Sequence, residues 1–238
     1  MNINNLLKSI ISILYGLVFL YLFLTEKLYL YIHPRMGKYI LIAGIILLIV
    51  GIYSLKDIRR DIYLNTSILP FFILLIPLIS GLIIDPNEVY SMISNKCNFN
   101  FQSIQANEEK TNFLKEDGSI EIRSDNYIYA IKEIYYNIDK YKGKNIEFEG
   151  FLYRNQFMNQ NQAMVGRNII TCCIADASLL GYMVEGNILT EIPDNQWVKI
   201  DGRLDILEFE KDQIPFVKVD KNNIKFPKRP KNQYIFAN

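Results

Sequence analysis

Histidine, cysteine and net charge are all scarce in this chain. One of its 238 residues is histidine, His33, and three are cysteine, Cys97, Cys172 and Cys173. Three thiols exclude a disulfide framework, and one lone plus two adjacent cysteines exclude the paired C-x-x-C spacing of a structural zinc site. Adjacent cysteines are poorly placed to bond to each other, because the eight-membered ring strains the intervening peptide. The 26 Lys and Arg nearly cancel the 25 Asp and Glu, leaving a formal net charge of +1. The two signs are interleaved rather than pooled, so there is no electrostatic case for nucleic acid. Catalytic vocabulary is missing as well. No Ser-His-Asp set, H-E-x-x-H motif or phosphate-cradling glycine loop is legible, and the single histidine lies far along the chain from the cysteine pair. A cysteine nucleophile with no evident base is a poor catalyst, so the expectation is a protein that is not an enzyme.

Charge is scarcest in the N-terminal third. Apolar runs occupy residues 6–24, 39–55 and 68–84, and Lys8 at the mouth of the first is their only Asp, Glu, Lys or Arg. Each run is close to the roughly 17–25 residues that cross a bilayer, where a charge at mid-depth costs about 2.5–3.5 kcal/mol. The reading is a multi-pass anchor of about three transmembrane helices over residues 1–84. The first run is longer than the apolar core of a signal peptide and no small-x-small site follows it, so it is read as a retained helix. Pro70 and Pro77 predict a kink in the third, either a packing feature or a mark of a transport path. Lys8, Lys56, Arg59 and Arg60 would share one side of the membrane, and Lys27, Arg35 and Lys38 the other. Four against three favours a cytoplasmic N-terminus and an extracytoplasmic C-terminal domain. His33 stands in the first loop, before Pro34. It is either a proton or metal ligand at the membrane surface or a polar interface residue beside Tyr31 and Arg35.

Residues 85–125 are rich in Asn, Ser, Lys and Glu with no clear apolar period, and read as a polar linker. The remainder, 126–238, reads as a small soluble, mainly β domain. It opens with an amphipathic helix over 127–141, where Ile128, Ile131, Ile134, Tyr135 and Ile138 recur at helical spacing, and Gly143 follows as a closing residue. Strand signals come at 145–154, 168–177, 181–185, 197–207 and 215–219. The phrases IEFEGFLYR and VKIDGRLDI each carry a mid-strand glycine. Glycine permits the sharp coiling that closure demands, so the expectation is a barrel of the oligonucleotide/oligosaccharide-binding (OB) type.

The densest chemical vocabulary is RNIITCCIADA, from Arg167 to Ala177. On a regular strand Cys172 and Cys173 would point to opposite faces, one sulfur inward and inert. A kinked backbone would instead gather both thiols and the Asp176 carboxylate, a set suited to zinc, copper or another thiophilic ion. The alternative is cysteine as a small hydrophobe filling a tight core.

These segments, GFLYRN, MVGRNIITCCIADA, GYMVEG, WVKIDGRL and IPFVKV, together with the N-terminal YIHPRM, resemble the YcgQ-type family of predicted two-component membrane permease subunits of Gram-positive bacteria. The resemblance implies a cell-membrane protein working beside a larger, separately encoded permease. The function it suggests is that of an accessory subunit whose soluble domain handles substrate or gates the permease. Arg167, Cys172, Cys173 and Asp176 are then the candidate site: thiols as soft ligands, Asp176 as charge balance, Arg167 orienting a carboxylate or an anionic substrate. The competing expectation is a docking or assembly platform with no small-molecule ligand.

Overall fold

A computed structural model of the chain describes residues 3–56, six positions between 73 and 80, and 111–237 except 157, 210, 211 and 231. It falls into two compact units, residues 1–90 with 172–174, and residues 91–171 with 175–238.

The first unit is a helical hairpin. α1 (Ile3–Leu24) and α2 (Pro34–Lys56) are joined through a short 3-10 turn, Lys27–Leu30. Proline suits the first position of a helix, where its missing N–H would have had no partner anyway. His33 precedes it and caps the helix, its Nδ1 accepting the Arg35 N–H at 3.1 Å and its carbonyl the Met36 N–H at 2.8 Å. The helices meet along glycines: Gly37, Gly44 and Gly51, spaced by seven, are the buried positions of α2. A methyl group on Gly51 would stand 2.6 Å from Ile13 Cγ1, and one on Gly16 would stand 2.6 Å from Leu48 Cγ. Elsewhere large apolar side chains face outward, among them Leu17, Ile42, Ile46 and Ile49. Both helices are long and apolar enough to cross a membrane. Lys38 and Lys56 lie over the rings of Tyr39 and Tyr53, an aromatic and basic pairing typical of membrane interfaces. The third expected span falls almost wholly outside the described residues; its six described positions, Ile73, Leu75, Ile76, Pro77, Ile79 and Ser80, are helical.

The second unit is mainly β. After β1 (Ile120–Glu121) come α3 (Tyr127–Tyr136) and α4 (Ile138–Tyr141), then β2 (Asn145–Tyr153), β3 (Gln162–Ile170), β4 (Ser178–Glu185), β5 (Trp197–Phe209), β6 (Asp212–Lys218), β7 (Ile224–Lys225) and β8 (Ile235–Phe236). The amphipathic helix expected over 127–141 is thus broken at Asn137, whose backbone (φ −124°, ψ 42°) is not helical. Asparagine competes poorly for helix interiors. Among the described residues the pairings close on themselves: β2 pairs β3, β3 pairs β4, β4 runs parallel to β6, β6 pairs β5, and β5 returns to β2 from Asn145↔Arg203 to Phe151↔Trp197. Gly150, Gly166 and Gly181 form a row across β2, β3 and β4, and a Cβ on any of them would collide with backbone of the next strand. That close approach is why glycine sits mid-strand here.

One apolar core fills the unit, with Ile131 and Ile134 of α3 packed among Ile146, Phe148, Val165, Val184, Val198 and Val217. Alternation follows expectation on β2, where Ile146 and Phe148 are buried and Glu147 and Glu149 half-buried. Two boundaries differ. Phe113 and β1 lie inside the stretch expected as linker, yet Phe113, Ile120 and Ile122 all join the core. The strand expected at 168–177 instead ends at Ile170 and begins at Gln162, where a turn through Asn159 starts it, the Gln162 N–H donating to the Asn159 carbonyl at 2.9 Å. This shift takes both cysteines off the strand.

β2 also has a break in its edge. β3 pairs with it only from Phe151 to Tyr153, and β1 only at Ile146 and Glu147. Phe148, Glu149 and Gly150 fall between the two partners.

Candidate functional site

The cysteine loop is set by where β3 stops. The Thr171 N–H donates to Asp176 Oδ1 at 3.0 Å, folding the chain back through a 3-10 turn, Ile174–Asp176. Cys172 is exposed and Cys173 half-buried. Their sulfurs lie 3.7 Å apart, and both sulfurs and an Asp176 oxygen lie within 4.8 Å of one another. A kinked backbone therefore gathers the three groups, and the strand geometry that would have parted the thiols does not apply. The backbone on either side of the pair is pinned within the first unit. The Cys172 carbonyl accepts the His33 N–H at 2.9 Å and the Ile174 N–H donates to the Tyr31 carbonyl at 2.8 Å.

Two thiolates and a carboxylate make a three-donor set with room for a fourth ligand. Tetrahedral Zn–S bonds of about 2.3 Å place two sulfurs roughly 3.8 Å apart. The observed separation fits that edge, so these residues suit a thiophilic ion. His33 does not join them: its Nδ1 serves the cap of α2, its side chain is buried, and its ring nitrogens lie outside the cluster.

Arg167 sits elsewhere, in a second environment. It is buried at 5% exposure on β3, its guanidinium 6.0 Å from the Tyr127 ring centre and 5.6 Å from that of Trp197. Nη1 donates to Ser124 Oγ at 2.6 Å and Nη2 to the Asn232 carbonyl at 2.7 Å, while Nε has no hydrogen-bond partner among the described residues. Burial pushes the Tyr127 phenol well above its ordinary range, the nearby Arg167 cation only partly opposing it, so the hydroxyl stays protonated and donates to the Leu180 carbonyl at 2.9 Å. The expected grouping of Arg167 with the thiols thus resolves into two places, a loop of Cys172, Cys173 and Asp176, and a guanidinium held by Ser124, Asn232 and two rings. Ser124, Tyr127, Glu149 and Trp197 were not legible as a set, because they come from three separate segments with no shared motif.

Residues 99–237 match the family described as the DUF1980 C-terminal domain. The chain is 29% identical over 189 residues to the UPF0703 protein YcgQ of Bacillus subtilis (strain 168), covering 67% of this chain and 66% of that protein. It is 30% identical over 125 residues to a Streptococcus mutans protein provisionally named as a two-component membrane permease complex subunit, covering 51% of this chain and 44% of that one. In each pairing the match spans just under two thirds of the relative or less.

Proposed function

Because the chain belongs to the DUF1980 C-terminal domain family, of the YcgQ type, we propose that it is an accessory subunit of a two-component membrane permease complex. Its N-terminal helices pass through the cell membrane several times and pack against a larger permease. Its C-terminal domain, outside the cytoplasm, is an OB-like barrel, a reading supported by the cycle of five paired strands and the glycine row across it. The domain works by binding rather than catalysis, presenting or withholding substrate at the permease.

The observation that carries the binding role is the gathering of Cys172, Cys173 and Asp176 within 4.8 Å. Soft thiolates select zinc or copper over the harder cations. When such an ion is bound, the two sulfurs and the carboxylate oxygen hold it and its charge is offset by theirs. Asp176 has a second task, since its bond to the Thr171 N–H keeps the loop closed and the thiols adjacent.

The test uses full-length protein and a Cys172→Ser/Cys173→Ser pair. Purified native protein is expected to carry zinc or copper by elemental analysis, and the double variant to lose it. In intact cells, a membrane-impermeant maleimide is expected to label the native thiols once any metal is chelated. Protein that carries no metal, with thiols that resist maleimide even after detergent solubilisation, would make the domain a docking platform instead. Labelling only after the membrane is opened would reverse the proposed orientation.

A further inference from the structure

A buried cation in no ion pair is the least explained feature of the described β unit. Arg167 takes part in no ion pair among the described residues, although the surface nearby is full of them. Lys199 holds Glu147 at 2.8 Å, Arg123 holds Glu121 at 3.1 Å and Asp125 at 3.2 Å, and Lys115 reaches both glutamates at 4.0 Å. A buried charge held in no ion pair is destabilising, and among the described residues this one is offset by two neutral acceptors and two ring faces.

The guanidinium lines a cavity of about 270 Å³. The cavity opens where β3 leaves β2, at the break in the β2 edge between the β1 pairing and the Phe151↔Gly166 pair. Ser124 and Tyr127 from the α3 entry line it, with Phe148, Glu149 and Lys199. Glu149, which lines the cavity, accepts the indole N–H of Trp197 at 3.0 Å, tying that ring to the lining.

We propose that this cavity is a binding site for a small organic monocarboxylate, whose carboxylate meets Arg167. A planar guanidinium between aromatic faces suits a planar, singly charged acid, which it can engage through two parallel N–H donors. The lining argues against a phosphate. Glu121, Glu147 and Glu149 all border the cavity, and the three of them oppose a dianion far more than a single charge seated on Arg167. The volume admits only a small molecule. This site does not depend on the thiol loop, nor on the permease reading.

Trp197 is the only tryptophan in the chain and serves as a built-in reporter. The full-length protein in detergent is titrated with propionate, inorganic phosphate and chloride at constant ionic strength while tryptophan emission is followed. Propionate is expected to give a saturable change, and phosphate and chloride a response weaker by about tenfold or more, a gap of about 1.4 kcal/mol. Arg167→Lys, which keeps the charge but not the fork, is expected to lose the propionate response. Should that variant fail to fold, Glu149→Gln decides. It keeps an acceptor for the Trp197 N–H and removes a negative charge, so propionate should bind several-fold tighter. A folded native protein with no saturable response to propionate would overturn the proposal. So would phosphate or chloride binding as tightly as propionate, or a Glu149→Gln protein that binds no tighter than native.

Discussion

In the helical unit Ile42, Ile46 and Ile49 stand exposed around a seam of glycines, whereas in the β unit Ile120, Ile131, Ile134 and Ile146 are buried at its centre. The proposed membrane location accounts for this opposite use of the same side chain, since the two units then meet different solvents. In water, full burial of an isoleucine is worth about 1.5–3 kcal/mol, and a β unit with this many buried aliphatics is held by that term. Among lipid tails the outward isoleucines gain nothing by turning inward. The hairpin is held by close backbone packing, which small residues allow. The difference teaches that apolar content alone does not locate a core; the position of glycine does, against Leu48 and Ile13 in one unit and against neighbouring strands in the other.

The strongest way to break this comparison is a pair of truncations. Phe148 is buried at 1% exposure and meets Tyr182 edge-on at 5.6 Å between ring centres. Phe148→Ala should destabilise the β unit by about 3–5 kcal/mol in a urea melt followed by Trp197 emission. Ile49→Ala, in the helical unit, removes an outward side chain and should change the stability of the detergent-embedded hairpin by no more than about 0.5 kcal/mol in an SDS titration followed by helical circular dichroism. A large loss from Ile49→Ala would mean that this face is packed against protein, and the lipid-facing assignment would fall. The next largest effect reverses the logic. Gly51→Ile adds apolar surface to an apolar helix, yet it forces atoms onto Ile13 Cγ1 and the Ser9 carbonyl, which a single methyl would meet at 2.6 and 3.2 Å. It should cost about 1–3 kcal/mol in the same SDS titration. An unchanged or more stable hairpin would show that the glycines do not form the seam.

Much of this division was readable beforehand. The two helices declare themselves by the near absence of charge over 6–24 and 39–55, and the β2 and β5 faces by strict alternation through Ile146, Phe148, Val198 and Ile200. The cysteine loop was misplaced onto a strand because Ile169, Ile170, Cys172 and Cys173 form one apolar run. Nothing local says that the Thr171 N–H will find Asp176 rather than a strand partner. Phe113 and β1 were hidden for the opposite reason: two strand residues and one aromatic give no period to detect in a polar stretch. The environment of Arg167 was invisible because it is made by strand splay. The acceptors and rings around it come from residues 124, 127, 197 and 232, and only the topology brings them together.

Acid should separate the units by the smallest effect. Glu26 is the only acidic residue in 3–56, so the hairpin holds a single carboxyl. The β unit has Glu147. Desolvation pushes its carboxyl up, but the hydrogen bond and charge of Lys199, joined by the charges of Lys115 and Lys225, outweigh that and hold it below the ordinary glutamate value. A depressed carboxylate stabilises the fold fully above its unfolded pKa of about 4.3, and that contribution is lost as pH falls through the lower folded value. The urea midpoint of the β unit should therefore drop below about pH 4, a carboxylate contribution for which the hairpin, with Glu26 alone, has no comparable source. Because Glu147 and Lys199 remain partly in contact with water, their share is less than about 1 kcal/mol, and added salt should shrink it. Glu147→Gln should flatten part of the acid limb and leave the rest to other paired acids such as Asp205, whose carboxyl is held down by Lys218. An acid limb identical in the variant and the native protein would remove the Glu147–Lys199 pair from the forces holding β2 to β5.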